Sequence, residues 1–151
     1  MIQQFSQIMH KSSSGSVYSI KLHLVLVTKY RRKVINNEVH TRLKEIIENT
    51  CEKWECQCLE FNSELDHAHA LLDVNPKVAP AKLINNLKTV SSRLIRKEFG
   101  DYLAKYYYKP VFWSIGYAIN SCGGAPLEKV KDYIKNQDRQ TTARNSPTTK
   151  A

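Results

Sequence analysis

No run of apolar residues in this sequence approaches the roughly 20 needed to span a bilayer, and the first residues hold no signal-peptide core. The expectation is a soluble, cytoplasmic protein. Its four cysteines, Cys51, Cys56, Cys58 and Cys122, form no C-x-x-C pair, which removes the usual signatures of structural zinc and dithiol redox chemistry. Three of them cluster near the end of a helix. That leaves two readings open, a metal site shared with a histidine and small buried hydrophobes in a reducing compartment. No internal repeat is present. Acidic residues are scarce: 14 Asp+Glu against 23 Lys+Arg give a formal charge of +9 and a pI near 9.4. Such a field attracts polyanions, nucleic acid first and an anionic membrane surface second.

What is present fits one globular domain. The 151 residues are 42% hydrophobic, enough for a single core. Residues 1–16, with Ser12-Ser13-Ser14-Gly15-Ser16, read as a flexible leader and 141–151 as a flexible tail, leaving 17–140 as the domain. Within it the hydrophobic period switches in order. Tyr18 to Thr28 alternates as a strand, and Glu38 to Trp54 places Val39, Leu43, Ile46, Ile47, Thr50 and Trp54 at helical spacing. Cys56 to Ser63 and His67 to Val74 are strands. Ala81 to Phe99 is a helix with the stripe Leu83, Leu87, Val90 and Leu94, ended by Gly100. Val111 to Asn120 is a fourth strand, and a last helix begins near Pro126. The order β-α-β-β-α-β predicts an α+β fold: a split βαβ, ferredoxin-like antiparallel sheet with helices on one face. The extra C-terminal helix is expected on the other face.

The stretch Asp66-His67-Ala68-His69-Ala70-Leu71-Leu72 carries the chemistry. Residues two apart on a strand point the same way, so Ala68, Ala70 and Leu72 face the helices while His67 and His69 project together from the opposite face. Two imidazoles on a rigid strand can grip one divalent cation with coordination positions left open. An isolated H-x-H is equally compatible with two hydrogen-bonded surface histidines. In a split βαβ sheet, however, strands one and three are central, and their shared open face gathers His23, His67 and His69.

In the last helix Tyr133 and Gln137 are four apart and share a face beside the stripe Leu127, Val130 and Ile134. Laid across the open sheet face, this helix would bring a phenol and an amide oxygen to the histidines. A tyrosine hydroxyl titrates near pH 10 and is a weak nucleophile unaided; a cation on a scissile phosphate compensates. The same spacing also suits a helix whose Tyr133 packs at its edge. For a polyanion, Lys29, Arg31, Arg32 and Lys33 with Tyr30 form a basic cluster around an aromatic. Lys82, Arg93 and Lys97 form one row of the second long helix and Lys88 and Arg96 the next. Tyr106-Tyr107-Tyr108-Lys109 suits base stacking or a lead-in to strand four.

Together these motifs resemble the HUH nucleases, and among them the single-tyrosine transposases of minimal bacterial insertion sequences. His67-Ala68-His69 stands where the family has His-hydrophobe-His, with Ala68 smaller than usual. Tyr133-Ile134-Lys135-Asn136-Gln137 resembles its Tyr-x-x-x-Gln helix. Thr28-Lys29-Tyr30-Arg31-Arg32-Lys33, Phe112-Trp113-Ser114 and Gly123-Gly124-Ala125-Pro126-Leu127 are similar too. The resemblance implies cleavage and rejoining of single-stranded DNA through a 5′-phosphotyrosine formed by Tyr133, with Mg²⁺ or Mn²⁺ held by His67, His69 and Gln137. It further implies DNA hairpins at the element ends as partners, and a homodimer with composite active sites in which Ser121 to Gly124 is the hinge. The alternatives are a non-catalytic single-stranded nucleic-acid-binding module, for which sheet histidines in place of aromatics are unfavourable, and a domesticated HUH endonuclease of the same chemistry.

Overall fold

The computed structural model describes residues 20–121 and 134–136. Four strands and two long helices alternate as β1 (Ile20–Val27), α1 (Asn37–Lys53), β2 (Gln57–Ser63), β3 (His67–Val74), α2 (Pro80–Glu98), a single-turn α3 (Gly100–Leu103) and β4 (Ala118–Ser121). A 3₁₀ turn, Lys29–Arg31, follows β1. The sheet is antiparallel in the order β2-β3-β1-β4, which is the expected α+β split βαβ with β1 and β3 at its centre.

Period-2 patterning sets the two faces. Leu22, Leu24 and Leu26 of β1 stand opposite Leu72, Ala70 and Ala68 of β3, and this face joins Leu43 and Ile47 of α1 and Leu83 and Leu87 of α2 in one buried core. Val25 and Val27, only 1% and 2% exposed, are not part of it; they stand on the opposite face, in register with His69 and His67. In β2 a bulge sets Leu59 and Glu60 against Leu71, so Cys58 and Phe61 both reach the helix side although they are three apart.

Local chemistry fixes the helix ends. Asn36 Oδ1 caps α1 by accepting from Val39 N at 2.9 Å. At its other end Cys56 N donates to Cys51 O and Glu55 N to Glu52 O, a Schellman closure that places Glu55 at φ 58°. Pro80 opens α2 at its first turn.

Three elements depart from the sequence expectation. The buried line of α2 runs through Leu83, Ile84, Leu87, Ser91 and Ile95, leaving Val90 and Leu94 only partly buried. A serine holds a core position because its hydroxyl is satisfied: Ser91 Oγ donates to Leu87 O at 2.6 Å and accepts from Trp113 Nε1 at 2.9 Å. Gly100 does end α2, but it also starts α3. The fourth strand is shorter than expected. Trp113 bridges Thr28, whereas regular pairing resumes only at Ala118 opposite Val25. The chain between them turns aside through Gly116 at φ 90°, its Ser114 and Gly116 carbonyls accepting from Lys88 Nζ at 2.9 Å each. Of the last helix, residues 134–136 are helical; Tyr133, Gln137 and the 122–124 part of the hinge lie outside the described residues.

Candidate active site at the centre of the sheet

The strand places His67 and His69 side by side as their spacing demands. Their rings lie 18° from parallel with centroids 5.6 Å apart. His23, reaching in from β1, stands 5.8 Å from His69 at 44°. Three imidazoles therefore share the centre of the sheet face opposite α1 and α2.

The two members of the pair are held differently. His67 Nδ1 lies 2.8 Å from Asp66 Oδ1. The second oxygen of the same carboxylate, Oδ2, accepts from Arg31 Nε at 2.9 Å and Nη2 at 2.8 Å. Burial pushes the Asp66 carboxyl up, but hydrogen bonds and charge from His67 and Arg31 outweigh it and hold it below the usual carboxylate range. An ionised carboxylate only accepts, so Nδ1 is the donor to Asp66, and the tautomer this favours leaves the lone pair on Nε2. His69 is half-buried. Burial, then the neighbouring His67 and His23, push its pKa below the ordinary histidine value, which favours the neutral ring that binds metals. Two imidazoles are donors for a divalent first-row cation that takes its remaining ligands as oxygens. Among the described residues no group of three His, Cys, Asp or Glu is arranged to hold a metal. Among the described residues the cysteines offer no rival centre. Cys56 is buried, its Sγ donating to Trp54 O and accepting from Asn75 N. The Cys58 thiol donates to Glu60 O.

The basic cluster after β1 is tightly tied down. Thr28 N donates to Asp66 O at 3.0 Å, and the single Oγ1 proton goes to Arg32 O at 2.7 Å with Asp66 O a further 3.1 Å contact. Lys29 N donates to Phe112 O, Tyr107 OH to Lys29 O and Ser114 Oγ to Thr28 O. These bonds hold Tyr30 and Arg31 at φ 59° and 52°, left-handed conformations that cost about 1–3 kcal/mol each outside glycine. The Tyr30 ring lies under two cations, Lys29 Nζ at 5.3 Å and Arg32 Cζ at 5.6 Å from its centroid. Arg32 and Lys33 are exposed and Lys29 half-buried.

On α2, Lys82, Arg93 and Lys97 are exposed and Lys88 and Arg96 half-buried. Lys88, Arg96 and Trp113 line a groove of about 300 Å³. It adjoins a second, of about 350 Å³, lined by Arg96, Lys109 and the wholly exposed Tyr108 among others. Two of the cations expected to meet DNA have partners inside the fold: Lys88 holds the two carbonyls of the 114–116 loop, and Arg31 holds Asp66. Sequence reasoning gave Asp66 no role of its own beside the histidines. Its signal was available, since an acid directly before H-x-H at a strand start is within reach of the first imidazole.

The family model for "Transposase IS200 like" matches residues 16–137. The chain belongs to the IS200-like transposase family. Two relatives, the transposases for insertion sequence element IS200 of Salmonella typhimurium and Salmonella typhi, are each 33% identical to this transposase over 127 residues, which is 84% of this chain and 82% of theirs. A Deinococcus radiodurans protein solved as a transposase candidate matches the fold with a TM-score of 0.76 at 25% identity, over 83% of this transposase and 96% of its own chain. The REP-associated tyrosine transposase bound to a REP hairpin shares the fold alone, with a TM-score of 0.50 and 8% identity over 89% of this chain and 75% of its own. The family resemblance and the α+β fold read from the sequence are both borne out. Among the described residues no helix is long and apolar enough to cross a membrane.

Proposed function

We propose that this transposase cleaves and rejoins single-stranded DNA at the ends of its insertion sequence through a covalent 5′-phosphotyrosine on Tyr133. The observation that carries this reading is the paired His67 and His69 on the sheet face opposite α1 and α2, in a chain of the transposase family, one imidazole oriented by a carboxylate and the other favoured as neutral. His67 and His69 would hold Mg²⁺ or Mn²⁺, with Gln137 Oε1 as third ligand. When bound, that cation supplies Lewis-acid withdrawal of charge from the scissile phosphodiester.

The rest is the work of the chain's own groups. The Tyr133 hydroxyl loses its proton and its oxygen attacks phosphorus in line. A P–O bond to tyrosine forms as the bond to the 3′ oxygen breaks, and that oxygen leaves with a proton as a 3′ hydroxyl. One phosphodiester replaces another, so the reverse attack by a 3′ hydroxyl rejoins the strand without an energy source. Exposed Arg32, Lys33, Lys82, Arg93 and Lys97, with half-buried Lys29 and Arg96, supply phosphate contacts, and Tyr30 offers a face for stacking. The functional unit is a cytoplasmic homodimer binding hairpins at the element ends, in which the Tyr133 helix swings about Ser121 to Gly124 to complete the partner's site.

The test is a denaturing gel of labelled single-stranded DNA from the element flanks, incubated with the protein and Mn²⁺ or EDTA. The reading expects a shifted covalent species with Mn²⁺ only, absent for Tyr133→Phe and for His67→Ala. Binding to every flank oligonucleotide with no covalent species would reduce the protein to a nucleic-acid-binding module.

A further inference from the structure

Arg31 stands in a run of cations, yet its guanidinium is turned to Asp66 rather than left open to a polyanion. Asp66 divides its two oxygens: Oδ2 takes Nε and Nη2 of Arg31, and Oδ1 faces His67 Nδ1. A carboxylate gripped through one oxygen by two N–H groups cannot rotate away from an imidazole at the other without losing both contacts. The relay is also sheltered, with Arg31, Asp66 and His67 side chains 28%, 12% and 18% exposed. It is therefore screened less than a surface ion pair.

Tethering the turn to β3 does not require these side chains. Thr28 N already binds the backbone carbonyl of residue 66, with Oγ1 in contact, an acceptor any residue would provide. The guanidinium and carboxylate thus form an additional connection, and its far end is a ring nitrogen of the histidine pair. Two successive left-handed residues, Tyr30 and Arg31, carry the chain through the tight bend from which the guanidinium reaches back to the start of β3.

We propose that Arg31 and Asp66 are positioning residues for His67: Asp66 fixes the Nδ1–H tautomer and ring orientation that leave Nε2 for a divalent cation, and Arg31 holds Asp66 in place. This rests on reading His67 and His69 as the metal pair. It also removes Arg31 from the DNA contacts, leaving that role to its neighbours Arg32 and Lys33.

The test is Mn²⁺ titration of the full chain, followed by electron paramagnetic resonance without DNA, for Asp66→Asn, Arg31→Met, both together, and His67→Ala. Nitrogen NMR of the histidine rings reads the tautomer of His67 directly. Loss of an orienting carboxylate typically weakens metal binding by roughly 10–100-fold, and that is expected for Asp66→Asn, with a mixed His67 tautomer. Arg31→Met weakens binding in the same direction, and the double variant is no worse than Asp66→Asn because Arg31 acts through Asp66. Arg31→Met is also expected to keep its affinity for single-stranded DNA in EDTA, where Arg32→Met loses affinity. If Asp66→Asn fails to fold, Arg31→Met and the tautomer measurement decide. Wild-type Mn²⁺ affinity and tautomer in Arg31→Met and Asp66→Asn, with binding lost in His67→Ala, would overturn the positioning role and leave the metal pair standing. Undiminished Mn²⁺ binding by His67→Ala would overturn both.

Discussion

Trp113 Nε1 donates to Ser91 Oγ across 2.9 Å inside the core. The bond joins α2 to the segment whose Trp113 bridges Thr28, and Thr28 in turn holds the backbone of Asp66 beside the histidine pair. Ser91→Ala leaves the indole N–H buried and without its acceptor, which costs about 1–3 kcal/mol. Urea denaturation is the check, with a lowered midpoint and unchanged slope expected. A stability equal to wild type would mean that the core position tolerates an apolar residue without penalty.

Glu55 closes the Schellman turn of α1 at φ 58°, where glycine is the residue of choice. The exposed side chain makes one long contact, accepting from Asn75 Nδ2 at 3.5 Å. Glu55→Gly relieves the left-handed strain and is expected to stabilise the protein by about 0.5–1 kcal/mol. Thermal unfolding by circular dichroism would register this as an increase in Tm.

Burial, reinforced by the charge of Glu48, pushes the Cys58 thiol up to about 12 from an ordinary 9.0. The sign follows directly. A raised pKa in the folded state means that the protonated thiol is favoured by folding, so its contribution is complete below pH 9 and lost as pH climbs towards about 12. At pH 8.5 native Cys58 is therefore expected to resist iodoacetamide and to react freely in urea, as read by peptide mass spectrometry. Ready labelling of the native protein would contradict it.

Lys88 and Arg32, cations of the same sequence-level promise, are expected to behave differently. Arg32→Ala removes an exposed phosphate contact, so the salt dependence of single-stranded DNA affinity should flatten by about 0.7 in log–log slope with stability unchanged. Lys88→Ala releases the Ser114 and Gly116 carbonyls and should lower stability by about 1–3 kcal/mol, with the salt slope intact. Parallel fluorescence titrations at several salt concentrations and a melting curve for each variant separate the two roles.

The parts legible in the sequence are those where one period dominates. His67 to Leu72 alternates in burial and emerges in β3, whose bounds match the expected ones; the H-x-H spacing dictates the paired rings. The rest depends on information that residue patterns do not carry. Ser91 reads as polar, and only its pairing with Trp113 admits it to the core. The Leu59–Glu60 bulge and the Gly116 turn change register without altering the composition. Arg31 is indistinguishable from Arg32 until the left-handed turn directs one to Asp66 and leaves the other exposed.

Locating the covalent bond decides whether Tyr133 is the nucleophile. Protein incubated with Mn²⁺ and its flank DNA would be digested with nuclease and trypsin, and the nucleotide-bearing peptide sequenced by mass spectrometry. A 5′-phosphonucleotide is expected on Tyr133 and on no other tyrosine. A phosphonucleotide on Tyr30, Tyr108 or another side chain, or cleavage that leaves no protein-linked phosphate, would contradict it.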